Sequence, residues 1–417
     1  MPSADAAFVP YRYMPLHRAS MARTEAAVLR NVLVARPQCA PPEQCNFVLS
    51  HLGTAGAVYS MDLQGHSLLP ALVNAHEHLH LNSIPALRSN QTFANSYAWA
   101  SQFESHCEKT EVRSALAIPK DVRHWHGGLK NALCGTTTVM HHDPMQMIHE
   151  HAAFPVRVVQ PYGWAHSLNW HYGPQVARSF HCTARDVAWF VHLAEGTDAV
   201  AAGELQQLQA MQCLQSNTVL IHGVALNDRD IASVIASGAA LVWCPSSNLS
   251  LLGCTVTTER LRALFDRGRL TLGTDSRLSG ARDLLAELQL AARHSDFCAR
   301  ELLQMVTVDA RRLLRAAPAP DDVIIFRSRS ADPYDDFLRL ARHQLRAVIR
   351  NGVPLIADPD FEDWFVQRHI AYTAVRLDGR IKLCASSLLS ACGEAAAVLE
   401  PGLEPYDCRF RTTMAAG

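Results

Sequence analysis

The sequence lacks an apolar run that approaches the roughly twenty residues a helix needs to span a bilayer. Residues 1–20 also lack the compact apolar stretch and the small-residue cleavage site of a secretory signal. The formal net charge is −1, so the chain has no basic excess of the kind that binds nucleic acid. These absences argue against a membrane protein and against a nucleic-acid-binding protein, and they predict a cytoplasmic location.

Paired cysteines are also missing. The 12 cysteines include no Cys-x-x-Cys pair, which disfavours a zinc ribbon and, in a reducing compartment, predicts free and mostly buried thiols. A cysteine nucleophile is therefore not expected. The 417 residues exceed one average domain, but they fit a barrel with an added small domain.

Both ends of the chain have the pattern of short β-strands. Apolar stretches near the start are broken by proline and glycine; they are Val28 to Val34, Phe47 to Leu52 and Ala57 to Leu63. Near the end, apolar runs flank Asn351-Gly352, a strong signal for a two-residue hairpin because both turn positions favour positive φ. The segment Leu377-Asp378-Gly379-Arg380 predicts a second, weaker turn of the same kind.

The middle of the chain, from about His76 to Ala316, alternates brief apolar runs with stretches of helical period. The runs are Thr136 to Met140, Val156 to Gln160, Ala188 to Leu193, Thr218 to Ile221, Ala240 to Cys244 and Leu270 to Gly273. The helical stretches include Ala201 to Cys213, Asp228 to Ser237, Ala281 to Arg293 and Glu301 to Leu314. This alternation predicts an α/β fold of parallel strands joined by crossover helices.

His76 and His78 are separated by one residue and follow an apolar run that is typical of a buried strand. Side chains alternate faces along a strand, so these two imidazoles point the same way and could bind one metal ion. The alternative is two unrelated histidines, because short metal patterns often match by chance.

Four further polar residues follow apolar runs directly. His192 and Glu195 follow one run, His222 the next, and Asp275 a later one. In a β/α barrel, the C-terminal ends of the strands converge on the face that carries the active site. Taken singly, either histidine could be a core or loop residue, and Asp275 could cap a helix. Taken together, three histidines and a carboxylate form a ligand set suited to zinc or ferrous iron.

The order His-x-His, His-x-x-Glu, His and Asp resembles the amidohydrolase superfamily, and specifically its deaminase and chlorohydrolase branch. The segments that resemble its strand motifs are Leu69 to Leu79, Gly135 to Val139, His192 to Asp198, Leu220 to Gly223, Trp243 to Leu249 and Leu272 to Ser276. The Asn351-Gly352 hairpin is similar to part of the family's small β-sandwich. The resemblance implies a (β/α)8 TIM-like barrel over residues 69–316, with a β-sandwich built from residues 1–68 and 317–417.

The resemblance also implies a role for each site residue. His76, His78, His192 and Asp275 would bind the metal ion, and Asp275 would also take a proton from metal-bound water. Glu195 would protonate a ring or amide nitrogen and pass a proton to the leaving group. His222 would stand beside the attacking hydroxide and stabilise the oxygen that becomes tetrahedral.

No lysine lies between Lys130 and Lys382. Two-metal members of the superfamily bridge their ions with a carboxylated lysine from the fourth strand, so the sequence excludes a site of that kind. We expect one divalent metal ion. Zinc is favoured over iron, although the ligand types do not separate the two firmly.

The sequence therefore predicts a mononuclear metal-dependent hydrolase of carbon–nitrogen bonds that deaminates a nitrogen heterocycle such as a purine, pyrimidine, pterin or triazine. Removal of a halide or alkylamine, or opening of a cyclic amide, is the close alternative. A non-catalytic scaffold with this fold is a more distant one. The expected partner is a small heterocyclic substrate, and a homodimer is the default assembly.

Other parts of the chain allow weaker predictions. The fourth strand cannot be placed within Tyr162 to Asp186, a segment that contains His166, Trp170, His171 and His181. Residues that could either shape the substrate pocket or only pack are Asn82, Asn95, Tyr97, Trp99, His141, His142 and Asp143. The cluster of His124, Trp125 and His126 is expected on a helix face.

Overall fold

The computed structural model describes residues 23–38, 41–52, 58–86, 91–169, 172–393 and 395–406. Trp170, His171, the outer parts of both chain ends and the segment between β2 and β3 thus lie outside the described residues. No helix within the described ranges is long and apolar enough to cross a membrane.

The strands fall into an N-terminal group, a middle group and a C-terminal group. The first is β1 (Arg23–Val34), β2 (Glu43–Leu52), β3 (Tyr59–Asp62) and β4 (His66–Pro70). The middle group is β5 (Leu72–Glu77), β6 (Thr136–His141), β7 (Arg157–Val158), β8 (Gly163–Trp164), β9 (Trp189–Leu193), β10 (Thr218–His222), β11 (Ala240–Trp243) and β12 (Leu270–Leu272). The last is β13 (Val323–Arg327), β14 (Leu345–Arg350), β15 (Val353–Ala357), β16 (Tyr372–Leu377), β17 (Arg380–Ala385) and β18 (Leu403–Pro405).

Most helices lie between the middle strands. Those before β9 are α1 (Ser96–His106), α2 (Thr110–Ala117), α3 (Lys120–Leu133) and α4 (Val176–Cys182). Those from β9 to β13 are α5 (Ala199–Ala202), α6 (Glu204–Ala210), α7 (Asp228–Ser237), α8 (Pro245–Leu252), α9 (Thr258–Asp266), α10 (Leu284–Arg293), α11 (Ala299–Gln304) and α12 (Ala310–Leu313). The remainder are α13 (Pro333–Leu338), α14 (Glu362–Gln367), α15 (Ser386–Leu389) and α16 (Ala395–Leu399).

The middle strands form parallel sheets, as the alternating pattern predicted. One sheet has the order β5-β6-β7, and the other has the order β12-β11-β10-β9-β8. Apart from the two-residue strands β7 and β8, these strands are buried along their lengths, which explains why they appear as continuous apolar runs. At one boundary between the sheets, the amides of Thr274 and Asp275 donate to the His76 carbonyl at 3.1 Å. The described residues therefore show a mixed α/β fold with two parallel sheets rather than one closed sheet.

The two chain ends combine in a single mixed sheet with the path β18-β16-β17-β15-β14-β13-β4-β1-β2, and β3 pairs with β1. The N-terminal and C-terminal strands meet where β4 pairs antiparallel with β13, with Leu69 opposite Ile324. Both chain ends thus build the same β unit, as expected. The sheet pairing does not define a separate sandwich domain, and the domain boundaries stay predictions.

Both predicted hairpin turns are confirmed. Asn351 and Gly352 have φ values of 53° and 72° between β14 and β15. Asp378 and Gly379 have φ values of 45° and 83° between β16 and β17. Positive φ at both central positions matches the right-handed twist of the flanking strands, which is why Asn-Gly and Asp-Gly indicate this turn.

The prediction for α7 agrees with the structure at both ends. Asn227 caps the helix by accepting from the amide of Asp230, and the Asp230 carboxylate accepts from the Asn227 amide in return. Gly238 ends the helix in the left-handed conformation. The stretch from Glu301 to Leu314 differs from its prediction, because a π-helical turn over Met305–Asp309 separates α11 from α12.

The fourth parallel strand is β8, which has only two residues. A strand this short has no alternation to detect, so the sequence could not locate it. Its pairing with β9, Gly163 opposite Trp189, places His166 just beyond its end. His181, by contrast, lies on α4 with an exposed side chain.

A buried ion network joins the C-terminal region to the parallel sheets. The Glu400 carboxylate accepts two hydrogen bonds from Arg277, at 2.7 and 2.8 Å, and one from Arg342. His126 Nε2 lies 3.0 Å from the same carboxylate, and the side chains of His126, Arg342 and Glu400 are fully buried. Burial opposes ionisation of Glu400, but His126 and the two arginines outweigh it and hold its pKa well below the usual range.

We expect Glu400→Ala to lower the free energy of unfolding by about 3–5 kcal/mol, because it leaves Arg277 without its carboxylate partner and removes one of the two carboxylates that neutralise the buried Arg342. Denaturant unfolding measures this. Glu404→Ala, at a partly exposed pair with Arg376, is the control and should cost less than about 1 kcal/mol. Because its folded pKa is depressed, Glu400 stabilises the fold above pH 4.5, and this contribution declines as the pH falls further. Equal small losses in both variants would contradict the network's role.

Candidate active site

The strand ends bring the predicted site residues together. His76 lies in β5 and His78 just after it, His192 lies in β9, and Asp275 follows β12. His192 Nε2 is 3.3 Å from His76 Nε2 and 3.3 Å from His78 Nε2. Asp275 Oδ1 is 3.9 Å from His76 Nε2 and 3.8 Å from His78 Nε2. Side chains from distant parts of the chain therefore converge around one point.

The hydrogen bonds on the outer ring nitrogens fix where the lone pairs point. His192 Nδ1 is 2.8 Å from the His166 carbonyl, which can only accept, so Nδ1 carries the proton. His78 Nδ1 is 2.8 Å from Asp143 Oδ2 and donates in the same way. In the neutral tautomers, both Nε2 atoms then present lone pairs to each other at 3.3 Å. This contact is unfavourable unless a proton on His78 Nε2 or a metal ion lies between the two nitrogens, so the donor set fits a metal ion.

The spacing of the nitrogens supports the same conclusion. Nitrogens that bind a tetrahedral zinc ion at about 2.0–2.1 Å lie about 3.3–3.4 Å apart. The two distances to His192 Nε2, both 3.3 Å, match this separation. Three imidazole nitrogens and one carboxylate form a ligand set that is typical of divalent transition metals.

A fourth imidazole, that of His142, joins this group. One potential ligand atom each of His76, His78, His142 and His192 lies within 4.8 Å of the others. His142 Nε2 donates to the Ala165 carbonyl at 2.9 Å, and its Nδ1 is buried without a hydrogen-bond partner among the described residues. The only signal for His142 in the sequence was weak: the residue directly follows the second parallel strand.

Asp275 is held in a strained backbone conformation with its carboxylate fully engaged. Its φ is 56°, in the left-handed region that non-glycine residues rarely adopt. Oδ2 accepts from Ser247 and Ser279 at 2.8 Å, and Oδ1 accepts from the Ser276 amide at 2.7 Å. Burial opposes ionisation, but His78, His222 and the two hydroxyls outweigh it and lower the pKa of Asp275. The group is therefore an anion at neutral pH, as a metal ligand must be.

Glu195 and His222 stand together at the edge of this centre. His222 Nε2 lies 3.4 Å from Glu195 Oε1. His222 Nδ1 donates to Asn248 Oδ1 at 2.8 Å, so the neutral ring keeps a lone pair on Nε2. Burial raises the pKa of Glu195 and thereby favours its protonated form. Glu195 can thus hold a proton, and His222 can accept one at Nε2.

The site opens into a cavity of about 320 Å³, which is within the range for small-molecule pockets. One wall carries His78, His192, Glu195, His222 and Asp275. The lining also includes an apolar wall formed by Leu81, Trp99, Phe103, Leu251 and Leu278.

Two of the loop residues singled out from the sequence, Tyr97 and Trp99, line this cavity. Asn82 instead binds Glu77 and Lys130, and Asn95 caps α1. The last two are therefore structural in the described part of the chain.

Behind the centre lies a buried network that the sequence analysis did not identify. Glu77, between the two first-strand histidines, accepts from Lys130 Nζ at 2.7 Å and from Asn131 at 3.0 Å. It also accepts from the side chain of Asn82 at 3.0 Å and from that of Thr274 at 3.3 Å. These contacts tie β5 to α3 and to the segment that carries Asp275. The only available signal was an ionisable residue placed between two ligand candidates.

Asp143 fixes the orientation of His78, and it also accepts from the Tyr172 hydroxyl at 2.9 Å. Its charge outweighs the effect of burial and raises the pKa of His78 to about 9. A metal ion at Nε2 must therefore displace a proton, after which the carboxylate holds the ring in place. We expect Asp143→Asn to weaken metal affinity by about 10–100-fold. Competition with a chromophoric chelator measures this affinity, and Asp228→Asn, at an exposed pair with Arg260, should leave it unchanged.

No family model matches the chain. Two curated relatives match short segments, and both are named 5-methylthioadenosine/S-adenosylhomocysteine deaminase. The one from Pyrococcus abyssi is 31% identical over 110 residues, which is 24% of this chain and 25% of the relative. The one from Teredinibacter turnerae is 39% identical over 90 residues, which is 21% of this chain and 20% of the relative. The chain thus aligns with a quarter or less of these relatives' length.

Solved structures match over most of the chain. An adenosine deaminase from Xanthomonas campestris with bound zinc has a TM-score of 0.55 at 16% identity, and the match covers 82% of this chain and 97% of that one. An atrazine chlorohydrolase from Arthrobacter aurescens TC1 with zinc has a TM-score of 0.57 at 16% identity, with coverages of 79% and 95%. At these identities the likeness shows a shared fold. The comparisons together confirm the resemblance of this chain to the deaminase and chlorohydrolase branch of the amidohydrolase superfamily.

Proposed function

We propose that this protein is a metal-dependent hydrolase of carbon–nitrogen bonds that removes an amino group from a nitrogen heterocycle and releases ammonia. The observation that carries the proposal is the convergence of three imidazole Nε2 atoms and Asp275 beside the Glu195 and His222 pair. The names of the relatives in both comparisons support the same reaction class.

His76, His78, His192 and Asp275 would hold one divalent metal ion, with His142 available as a further nitrogen donor. We favour zinc because both solved relatives described above contain it. When bound, the ion supplies a hydroxide nucleophile at neutral pH, because it lowers the pKa of water to about 7. The chain's own residues supply the proton transfers and the positioning.

Glu195 would act as the general acid. Its buried carboxyl holds a proton at higher pH than an ordinary glutamate, so it can protonate the ring nitrogen as the ring carbon is attacked. After losing that proton, it can carry another from the attacking water to the departing amino group, which leaves as ammonia.

His222 and Asp275 would handle the attacking oxygen. Asp275 is an anion, and His222 keeps an Nε2 lone pair, so both can accept a proton from water. Once protonated, His222 can donate a hydrogen bond to the oxygen of the tetrahedral intermediate. The Asn248 contact holds the ring in the required orientation throughout.

Among heterocycles we favour an adenine-type purine that carries an apolar substituent. Both curated relatives are named for adenine nucleosides with a thioether substituent, one of which, 5-methylthioadenosine, carries an apolar methylthio group. The apolar wall formed by Leu81, Trp99, Phe103, Leu251 and Leu278 offers a surface for such a substituent. A chlorinated or alkylaminated triazine is the second candidate, because a chlorohydrolase shares the fold. A non-catalytic scaffold is disfavoured because all the proposed ligands and both proton-handling residues are present.

The finer structural predictions also belong to this proposal. Within both parallel sheets each strand pairs with its neighbour in sequence, which supports a (β/α)8 barrel over residues 69–316, and the sheet shared by the two chain ends supports a β-sandwich. A homodimer and a cytoplasmic location stay predictions.

A substrate panel tests the proposed reaction. Purified protein loaded with zinc is assayed for ammonia release from adenosine-type nucleosides, guanine, pterins, cytosine and aminotriazines, for halide or alkylamine release from substituted triazines, and for ring opening of cyclic amides. We expect ammonia from at least one adenine-type compound. Turnover of a cyclic amide with no ammonia from any aminated ring would contradict the proposal.

A further inference from the structure

A second group of histidines lies beside the active site, and we refer to it as the outer histidine cluster. It consists of His80, just after β5, His124 in α3 and His141 at the end of β6. One potential ligand atom of each lies within 4.8 Å of the others. None of these residues belongs to the metal centre described above, so the cluster is a separate feature of the fold.

The cluster contains buried nitrogens that lack a partner. His80 Nδ1, His124 Nε2 and His141 Nε2 have no hydrogen-bond partner among the residues that the structure describes. His124 and His141 are fully buried, and the side chain of His80 is 13% exposed. Buried polar atoms are normally satisfied, so three unsatisfied nitrogens in one place indicate a missing ligand.

Neighbouring residues orient the cluster as they would a metal site. His149 Nε2 lies 3.0 Å from His124 Nδ1, and His149 Nδ1 lies 3.4 Å from Met145 Sδ. The Gln146 amide donates to His149 Nδ1 at 3.4 Å, so in the neutral pair His149 Nε2 donates to His124 Nδ1 and the His124 proton lies on Nε2. Binding through His124 Nε2 would shift both rings to the other tautomer, in which His124 Nδ1 donates to His149 Nε2 and His149 Nδ1 donates to Met145 Sδ. Burial lowers the pKa of His124 to about 2, so the ring is neutral at pH 7. Metal-binding histidines usually have an orienting partner of this kind on the other nitrogen.

His141 must change its tautomer to take part. Its Nδ1 accepts from the Leu79 amide at 3.3 Å, which places the proton of the neutral ring on Nε2. Binding through Nε2 would move that proton to Nδ1 and open the Leu79 contact. The contact is long for a hydrogen bond, so it opposes the change only weakly.

The cluster has a route of entry and a nearby negative charge. His80 and Asp143 both line the active-site cavity. Asp143 Oδ2 lies 3.7 Å from His80 Nδ1 and 2.8 Å from His78 Nδ1, so one carboxylate faces both histidine groups. Three neutral imidazoles leave a coordination position free for water or for a substrate atom.

We propose that the outer histidine cluster binds a second divalent transition-metal ion through His80, His124 and His141. Imidazole ligands suit zinc, copper, nickel and iron. The ion would lie beside the substrate cavity, separated from the first centre by Asp143.

Cobalt titration of the full-length protein tests this proposal. Bound Co²⁺ is counted by equilibrium dialysis and elemental analysis, and its visible absorption reports nitrogen coordination. We expect two equivalents in the unaltered protein and one in His80→Ala and in His124→Ala. His106→Ala is the matched control, because His106 is also buried with both nitrogens unpartnered among the described residues but lies in neither histidine group. It should bind two equivalents.

His192→Ala distinguishes the two sites. It should lose the Co²⁺ ion of the proposed catalytic centre and keep the one bound by the outer histidine cluster. Circular dichroism checks that each variant is folded, and His80→Ala decides the result if His124→Ala does not fold, since His80 is partly exposed. The proposal of an outer site would be overturned if the unaltered protein bound one equivalent of Co²⁺, His80→Ala still bound it and His192→Ala did not. That result would leave the proposed catalytic centre intact. Two equivalents in both His80→Ala and His124→Ala would overturn the outer site as well.

Discussion

His192→Ala should lower the metal content by one equivalent and reduce ammonia release to background. His192 Nε2 is the atom that lies 3.3 Å from both other imidazoles, so its removal opens the centre on one side. The remaining ligands would still include the buried pair His76 and Asp275, but a cation held by fewer donors dissociates more readily. Loss of the hydroxide nucleophile removes several kcal/mol of transition-state stabilisation, which corresponds to at least about a thousandfold in rate.

Elemental analysis and the ammonia assay measure the two effects on the same samples. His181→Ala is the control, because His181 is an exposed histidine on α4. The control should keep both metal and activity. Full activity in His192→Ala after extensive dialysis against a chelator would refute the assignment of His192 as a ligand.

Glu195→Gln should separate metal binding from proton transfer. Glutamine fills the same space but cannot donate the acid proton, and Glu195 lies outside the proposed ligand set. We therefore expect an unchanged metal content and a kcat lowered by about 10²–10⁴-fold, the usual contribution of a positioned acid or base. Steady-state kinetics on the best substrate of the panel measures the loss, and Glu259→Gln, at an exposed residue of α9, is the control.

The pH profile adds a second readout for Glu195. The raised pKa keeps the carboxyl protonated beyond the range of an ordinary glutamate. Activity that depends on the protonated form is therefore present at lower pH and declines as the pH rises through that raised value. The residual activity of Glu195→Gln should not show this decline with rising pH. An identical profile and rate in both proteins would remove Glu195 from the proposed mechanism.

The features that the sequence predicted well are those with strong local signals. Strands such as β9 and β10 are buried on both faces, so each has a run of apolar residues that leads to a histidine at or next to its C-terminal end. The Asn351-Gly352 turn requires positive φ twice, which few other residue pairs supply at low cost. For these elements the local sequence and the tertiary structure agree.

The features that the sequence missed depend on distance in three dimensions. The two-residue strand β8 has no periodicity, although its end places the His166 carbonyl against His192. Asp143 and His142 were recognised only as residues that follow a strand, because their contacts join parts of the chain far apart in sequence. The outer histidine cluster combines a 3-10 turn, an α-helix and a strand end in the same way.

Anomalous X-ray diffraction at the zinc edge, from crystals of the zinc-loaded protein, would show whether a metal ion lies among the predicted ligands. We expect a strong anomalous peak at about 2.0–2.2 Å from His76 Nε2, His78 Nε2, His192 Nε2 and an oxygen of Asp275. A map with no peak among these four side chains, from crystals whose protein contains zinc by elemental analysis, would contradict this prediction.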